Sequence, residues 1–228
     1  MSDFYKGIIF DFNGTLFFDS KMHLEAWRNF SEKLRGTPFT DAEMREHMFG
    51  RTNFDIISYA IGKIPSEELV EKLGSEKESL YREECRKMGN ACKLAPFAVD
   101  FLNYLKEMKI KRTIATMSGK DNVEFFIDWF KLKNWFDTDK IVFDDGSIKG
   151  KPAPDIYLLA AKKLNLPPEE CVVIEDAVSG IESARAAGIG KIVAIASMES
   201  ESLYENIPCV NMIIKDFRDF EGIIRQNS

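Results

Sequence analysis

Four short β-branched runs, each followed by helix-like sequence, constrain this chain most: GIIF at 7–10, RTIAT at 112–116, CVVI at 171–174 and KIVAI at 191–195. Apolar runs of this length without alternation fit strands buried on both faces, which occur in parallel sheets covered by helices. Pro167-Pro168 before the third run punctuates the alternation, and Gly188 after ESARAAG is placed to cap a helix. A doubly wound α/β sheet follows.

The spacing fails in one region. From the first run to Pro96, LEAWRNFSEKL, DAEMREHMFG, DIISYAIGKI and SEELVEKLGSEKESLYREECRKM all show helical periodicity and no convincing strand. A structureless loop of that length is improbable in a compact protein, whereas a helical insert is physically reasonable. The expected organisation is a Rossmann-like α/β core of residues 1–18 plus 93–228, with a helical domain inserted at 19–92. The 228 residues, 45% apolar with 18 Phe, suffice to fill such a core, and disorder is not expected.

Composition narrows the functional classes. The 31 Lys+Arg against 37 Asp+Glu give a formal charge of −6, which excludes the basic footprint of a nucleic-acid binder. MSDFYKG opens without a signal-like apolar stretch, and no segment is long and apolar enough to span a bilayer; a cytoplasmic protein without membrane contact is expected. Cys85, Cys92, Cys171 and Cys209 match no zinc spacing, and with His23 and His47 as the only histidines a His-rich metal site is excluded. Inert thiols are expected.

In open parallel sheets, ligands bind beyond the carboxyl ends of the strands. There the sequence collects its polar residues: Asp11-Phe12-Asn13-Gly14-Thr15 after the first run, Thr116-Met117-Ser118-Gly119 after the second and Glu175-Asp176 after the third, with Lys151 in GKPAPD. Asp11 and Asp176, with Glu175 beside them, could share a hard, oxygen-seeking cation such as Mg²⁺. Asp11 could also attack phosphorus, since an aspartyl-phosphate splits one displacement into two easier ones. Lys151 and the cation would offset phosphoryl charge, while Thr116 and backbone N–H groups near Gly14 and Gly119 could hold the oxygens. Taken singly, Asp11 reads more readily as an N-cap or turn residue and Lys151 as a solvated charge.

The order of these elements changes that weighting. The chain resembles the haloacid dehalogenase superfamily, whose members carry an Asp-x-Asp-Gly-Thr loop, a Ser/Thr after the second core strand, a Lys and a paired acidic motif, in that order. Here they read DFNGTL, Thr116 in ATMSG, Lys151 in KGKPAPDIY, and Glu175-Asp176 in VVIEDAVSGIESARAAG. Within the superfamily the chain is similar to the beta-phosphoglucomutase-like group through DSKMHLEAWRNF, FGRTNFDII, KESLY and SGKDNV. The resemblance covers essentially the whole chain and makes the helical insert a cap domain. It implies a nucleophile and Mg²⁺ ligand at Asp11, a second ligand in the Asn13 carbonyl, and the remaining acidic contacts from Glu175 and Asp176. Thr116 and Lys151 would bind the transferring phosphoryl group. Gly14, Thr15, Ser118, Gly119 and Asn122 would line the phosphate-contacting loops, Ser118, Gly119 and Asn122 reading equally as helix-opening residues.

One position departs from the pattern: Asn13 stands where the family's second Asp protonates the leaving oxygen and activates the incoming nucleophile. An amide donates hydrogen bonds but cannot deliver a proton or usefully accept one from water. Alkyl phosphates should therefore be turned over poorly unless another group substitutes, and a phosphorylated Asp11 should accumulate. His23, one helical turn before Trp27 and matching a His of the mutase-like pattern, is the first candidate for that role. The plainer reading is a partly exposed helix histidine bonded to a nearby carboxylate. Arg51 and Lys77 are the cap's candidate substrate contacts, although charges on such helices are mostly solvated. Phe17, Phe18, Phe49 and Phe54 read as core or hinge packing.

The expectation is a Mg²⁺-dependent hydrolase of a small phosphorylated metabolite, sugar-phosphate-like, acting as a monomer without nucleic-acid partners. The alternatives are a beta-phosphoglucomutase-like phosphotransferase, which needs the missing acid/base twice per cycle, and a phospho-ligand-binding regulatory protein that has lost turnover.

Overall fold

The computed structural model describes residues 4–48, 53–197 and 200–226. The chain divides into two compact units, Met1–Phe18 with Lys93–Ser228, and Asp19–Cys92.

Among the described residues the first unit is built on six strands, β1 Gly7–Phe10, β2 Lys111–Gly119, β3 Val142–Asp144, β4 Cys171–Glu175, β5 Lys191–Ile195 and β6 Met212–Ile214. They pair in the order β3-β2-β1-β4-β5-β6, and every neighbouring pair is parallel. This is the doubly wound α/β arrangement, with β1 in register against both β2 and β4 (Gly7 opposite Lys111 and Cys171). β1, β4 and β5 are buried along their whole length, the physical reason their sequences run apolar without alternation. Tyr157, Ile156, Ala160 and Ala161 of one covering helix and Ile181 and Ala184 of another pack with Ile9, Val173 and Ala194 into the core.

The strand boundaries read from sequence hold for β1 and β5, and β4 gains Glu175. β2 runs three residues past Thr116 to Gly119, and its register against β3 shifts between Ala115 and Gly119. Such a shift turns side chains away from the strand's simple alternation. β3 and β6, three residues each, were not expected; short edge strands carry too few residues to show a period. Gly188 lies at φ +73°, one residue beyond the Ala187 cap, so the glycine does close that helix.

Among the described residues the second unit holds four α-helices, α1 Ser20–Arg35, α2 Asp41–His47, α3 Asn53–Ile61 and α4 Glu67–Met88. α1 buries Met22, Ala26, Trp27 and Phe30 along one stripe and ends at Gly36, which takes φ +79°. Thr40 and Glu43 form a reciprocal capping box at the start of α2, and Glu43 also pairs with Arg35 at 2.7 Å. In the first unit, α5 Ala98–Glu107, α6 Lys120–Trp129, α7 Asp155–Leu164, α8 Val178–Ala186, α9 Ser202–Glu205 and α10 Phe220–Ile224 follow. Among the described residues no helix is long and apolar enough to cross a membrane.

Candidate active site

The strand order reverses at β1, whose neighbours are β2 on one side and β4 on the other. A crevice opens beyond the carboxyl ends of strands at such a switch. Asp11 leaves β1 there, its N–H bonded to the Ile174 carbonyl of β4 at 3.0 Å, and Glu175 ends β4 alongside, followed by Asp176. The loop after β1 is folded on itself: Phe17 N–H bonds Phe12 O at 2.9 Å and Gly14 N–H bonds Phe17 O at 2.7 Å. Phe12 stacks on Phe126 with centroids 4.4 Å apart, and Phe17 packs at 4.8 Å from Phe130, which anchors the loop from below. A cavity of about 330 Å³ is lined here by Asp11, Asn13, Lys151, Glu175 and Asp176 among others.

Lys151 joins the acidic residues. Its Nζ lies 2.6 Å from Asp11 Oδ1 and also donates to Glu175 Oε1. Burial works against the Lys151 ammonium, but the adjacent Asp11 and Glu175 outweigh it and hold its pKa well above the ordinary lysine value. Glu175 is fully buried and committed on both oxygens: Tyr157 OH donates to Oε1 at 2.9 Å and the Ala177 N–H to Oε2 at 2.8 Å. A Cβ added at Gly180 would stand 1.8 Å from Glu175 Oε1, so only glycine leaves room for this carboxylate.

Asp176 accepts from Thr15 Oγ1 at 3.1 Å, and its main-chain carbonyl from Tyr204 OH at 2.7 Å. Gly14, at φ +80°, brings the β1 loop so close that a Cβ would lie 2.1 Å from Asp176 Oδ2. Burial, then the charges of Glu175 and Asp11, push the Asp176 carboxyl well above the usual carboxylate range. Asp11, Glu175 and Asp176 place ligand oxygens within 4.8 Å of one another. Against the single ammonium of Lys151, these three carboxylates leave two negative charges in excess. A hard-oxygen donor set with that excess fits a divalent hard cation such as Mg²⁺.

Asn13 faces the second strand's loop. Its Oδ1 accepts from Ser118 Oγ at 2.7 Å and, more weakly, from Thr116 Oγ1 at 3.4 Å, while Thr116 Oγ1 accepts the Ser118 N–H at 3.1 Å. Thr116 is buried, and Thr116 and Ser118, two residues apart in β2, present both hydroxyls to the same amide. Gly119 is the N-cap of α6 with extended backbone and open space at its Cβ, and Asn122 is buried in that helix's first turn.

The remaining sequence candidates lie in the helical unit. His23 stacks on Tyr81 with centroids 4.1 Å apart, and its Nε2 lies 3.2 Å from Asp19 Oδ2, which also accepts from Tyr81 OH at 2.6 Å. This is the carboxylate-bonded helix histidine of the plainer reading. Lys77 is not a solvated charge: it is 4% exposed, paired with Glu78 and 5.1 Å from the Trp27 ring centroid. Arg51 lies outside the described residues, as does Phe49. Phe54 is half exposed, unlike Phe17 in the core.

Sequence reasoning missed Tyr157, Tyr204 and Gly180. Tyr157 stood in the quoted segment KGKPAPDIY and Gly180 in VVIEDAVSG, so a signal existed; for Tyr204, far along the chain, none did.

The family model for haloacid dehalogenase-like hydrolases matches residues 5–188. A phosphorylated carbohydrates phosphatase of Thermotoga maritima is 31% identical over 193 residues, covering 83% of this chain and 85% of that protein. Among solved structures, a hydrolase of the family's IA variant 3 from Entamoeba histolytica superposes with a TM-score of 0.88 at 41% identity, covering 94% of each chain. A beta-phosphoglucomutase from Clostridium difficile gives 0.69 at 25% identity, over 93% of this chain and 91% of that one.

Proposed function

The chain belongs to the haloacid dehalogenase-like hydrolase family, and from that premise we propose that it hydrolyses small phosphate monoesters of the sugar-phosphate kind through Asp11. The observation that carries the proposal is the Lys151 ammonium set 2.6 Å from Asp11 and bonded to buried Glu175 at the ends of adjoining strands. The name of the Thermotoga maritima relative supports the substrate class.

Asp11 attacks phosphorus; the P–O bond to the leaving oxygen breaks, and the phosphoryl group is carried on the carboxylate. Water then attacks the same phosphorus, releasing inorganic phosphate and restoring Asp11. Lys151, oriented by Glu175 and through it by Tyr157, offsets phosphoryl charge in both steps. Thr116 and Ser118 offer hydroxyls to the oxygens. Asp11, Asp176 and the Asn13 carbonyl would hold Mg²⁺, with Glu175 more a positioning residue for Lys151, since both its oxygens are already hydrogen-bonded. The cation, when bound, would screen the phosphoryl oxygens from the attacking carboxylate.

The leaving oxygen needs a proton and the attacking water must lose one, and Asn13 can do neither. General acid–base help is worth about 10²–10⁴-fold, so turnover of alkyl phosphates is reduced and the phosphorylated Asp11 outlives its formation. His23, whose Nε2 lies 3.2 Å from Asp19 Oδ2, is proposed as a partial substitute for this proton transfer. Asn13 argues against a mutase for the same reason and is the observation that would favour a regulatory phospho-ligand binder. Mass spectrometry of the chain quenched after exposure to an aryl phosphate with Mg²⁺ tests the covalent step. A phosphate-sized adduct on Asp11, absent in Asp11→Asn, is expected; phosphate release without any adduct overturns the nucleophile, and neither adduct nor release favours the binder.

A further inference from the structure

At the opposite end of the sheet, Arg112 is a half-buried cation that pairs with no carboxylate among the described residues. It stands second in β2, opposite Ile8 of β1, whereas Asp11 lies just past the far end of β1. One guanidinium nitrogen donates to the Ile110 carbonyl at 2.9 Å, and Nε is buried without a hydrogen-bond partner. Burial alone pulls its pKa down from the usual arginine value, with no carboxylate working the other way. An uncompensated charge in such a place is costly, and an anion that reached it would recover that cost.

An open cavity of about 230 Å³ lies beside it, its lining including Lys111, Arg112, Trp135, Asp137, Lys140 and Asn165. Asp137 is already taken by Lys140 Nζ at 3.1 Å and the Asp139 N–H at 3.3 Å. Lys111 donates to the Asn165 carbonyl, at 3.4 Å, and pairs with no carboxylate among the described residues. The lining thus carries three cations against one carboxylate, around a guanidinium whose planar fork suits tetrahedral oxyanions. We propose that this cavity is a second anion site, separate from the catalytic crevice, that takes a phosphate group, either free or on a small ester.

Trp135 lines the cavity, and its indole N–H is bonded to Asn103 at 2.7 Å, which makes it a local reporter. The full chain, ¹⁵N-labelled at its three tryptophan indoles, is titrated with inorganic phosphate and with glycerol phosphate at constant ionic strength. EDTA holds turnover off. Expected is a saturable shift of the Trp135 resonance, identified with Trp135→Phe, that an equal ionic strength of chloride does not produce. The tighter of the two phosphates identifies whether free or esterified phosphate is preferred. Arg112→Gln should weaken binding about tenfold or more, the range for one charge-assisted contact. Lys140→Gln, at the surface, should weaken it less and guards against a folding defect at Arg112. A Trp135 resonance that ignores phosphate, follows chloride equally, or responds identically in both variants overturns the site.

Discussion

Gly180→Ala should destabilise this chain, although the same change in most helices does the reverse. Gly180 sits in α8, where alanine is ordinarily favoured by about 1 kcal/mol. Here the new methyl would stand 1.8 Å from Glu175 Oε1, an oxygen that holds Lys151 and Tyr157 inside the core. Either the carboxylate moves and a charge-assisted bond worth about 1.5–3 kcal/mol is lost, or helix and strand part at an overpacking cost of about 1–3 kcal/mol. Less the helix gain of about 1 kcal/mol, the net loss is about 0.5–2 kcal/mol by the first route and about 0–2 kcal/mol by the second, or up to roughly 8 °C in Tm for a chain of this size. The comparison is Gly74→Ala in α4, where the added Cβ meets only the Asn53 side-chain amide at 3.3 Å. That variant should melt within a few degrees of the parent. Thermal unfolding followed by circular dichroism reads both. A Gly180→Ala chain that melts at or above the parent, with phosphate release undiminished, would refute the account of a Glu175 pocket shaped by glycine.

Four other outcomes follow from the same geometry. Tyr157→Phe removes one donor from buried Glu175 and should lower Tm by a few degrees and turnover severalfold with little change in KM, as steady-state kinetics would show. Asp176→Asn relieves the crowding of three carboxylates, so in EDTA it should melt above the parent, while Mg²⁺ should raise the melting temperature of the parent more than that of the variant. At saturating cation the parent's gain is about 2.7 kcal/mol at one hundred times Kd; equal gains in both chains would remove Asp176 from the cation site. Arg35, together with the Thr40 N–H, holds the Glu43 carboxyl below its ordinary range. The unfolded chain there binds the proton more readily, so this contribution is present above the ordinary carboxylate pKa and fades as pH falls through the folded value. Glu43→Gln should accordingly flatten the acid limb of stability against pH. His23→Ala should cost turnover without displacing the melting curve far; unaltered turnover would discard it as the substitute acid/base.

The parallel core was legible because β1, β4 and β5 are buried on both faces, and burial on both faces leaves an unbroken β-branched run in the sequence. The four helices of the second unit showed through their apolar stripes, as in Met22, Ala26, Trp27 and Phe30. β3 and β6 were hidden because three residues carry no period, and the β2 extension because a register shift leaves no compositional mark. The strand-end acids and Lys151 were legible by type and order. What sequence could not convey was how each is spent. Glu175 turns out to be fully hydrogen-bonded, Lys77 is packed beside Trp27 and paired with Glu78, and Ser118 holds Asn13 more closely than Thr116 does. The contacts of the site join residues up to 161 positions apart, as for Thr15 and Asp176, and they are fixed only when the strands come into register.

The most direct test of the central claim, that Asp11 carries the phosphoryl group and Asn13 withholds the proton, is Mg²⁺-dependent phosphate release by the parent, Asn13→Asp and Asp11→Asn. The substrates are one aryl phosphate and a panel of sugar phosphates. Asn13→Asp should raise sugar-phosphate turnover by about 10²–10⁴-fold, and aryl-phosphate turnover by less because its leaving group needs no proton, while Asp11→Asn abolishes both. A parent already fully active on sugar phosphates, to which Asn13→Asp adds nothing, would contradict the account, because another group such as His23 would then supply the whole of the proton transfer.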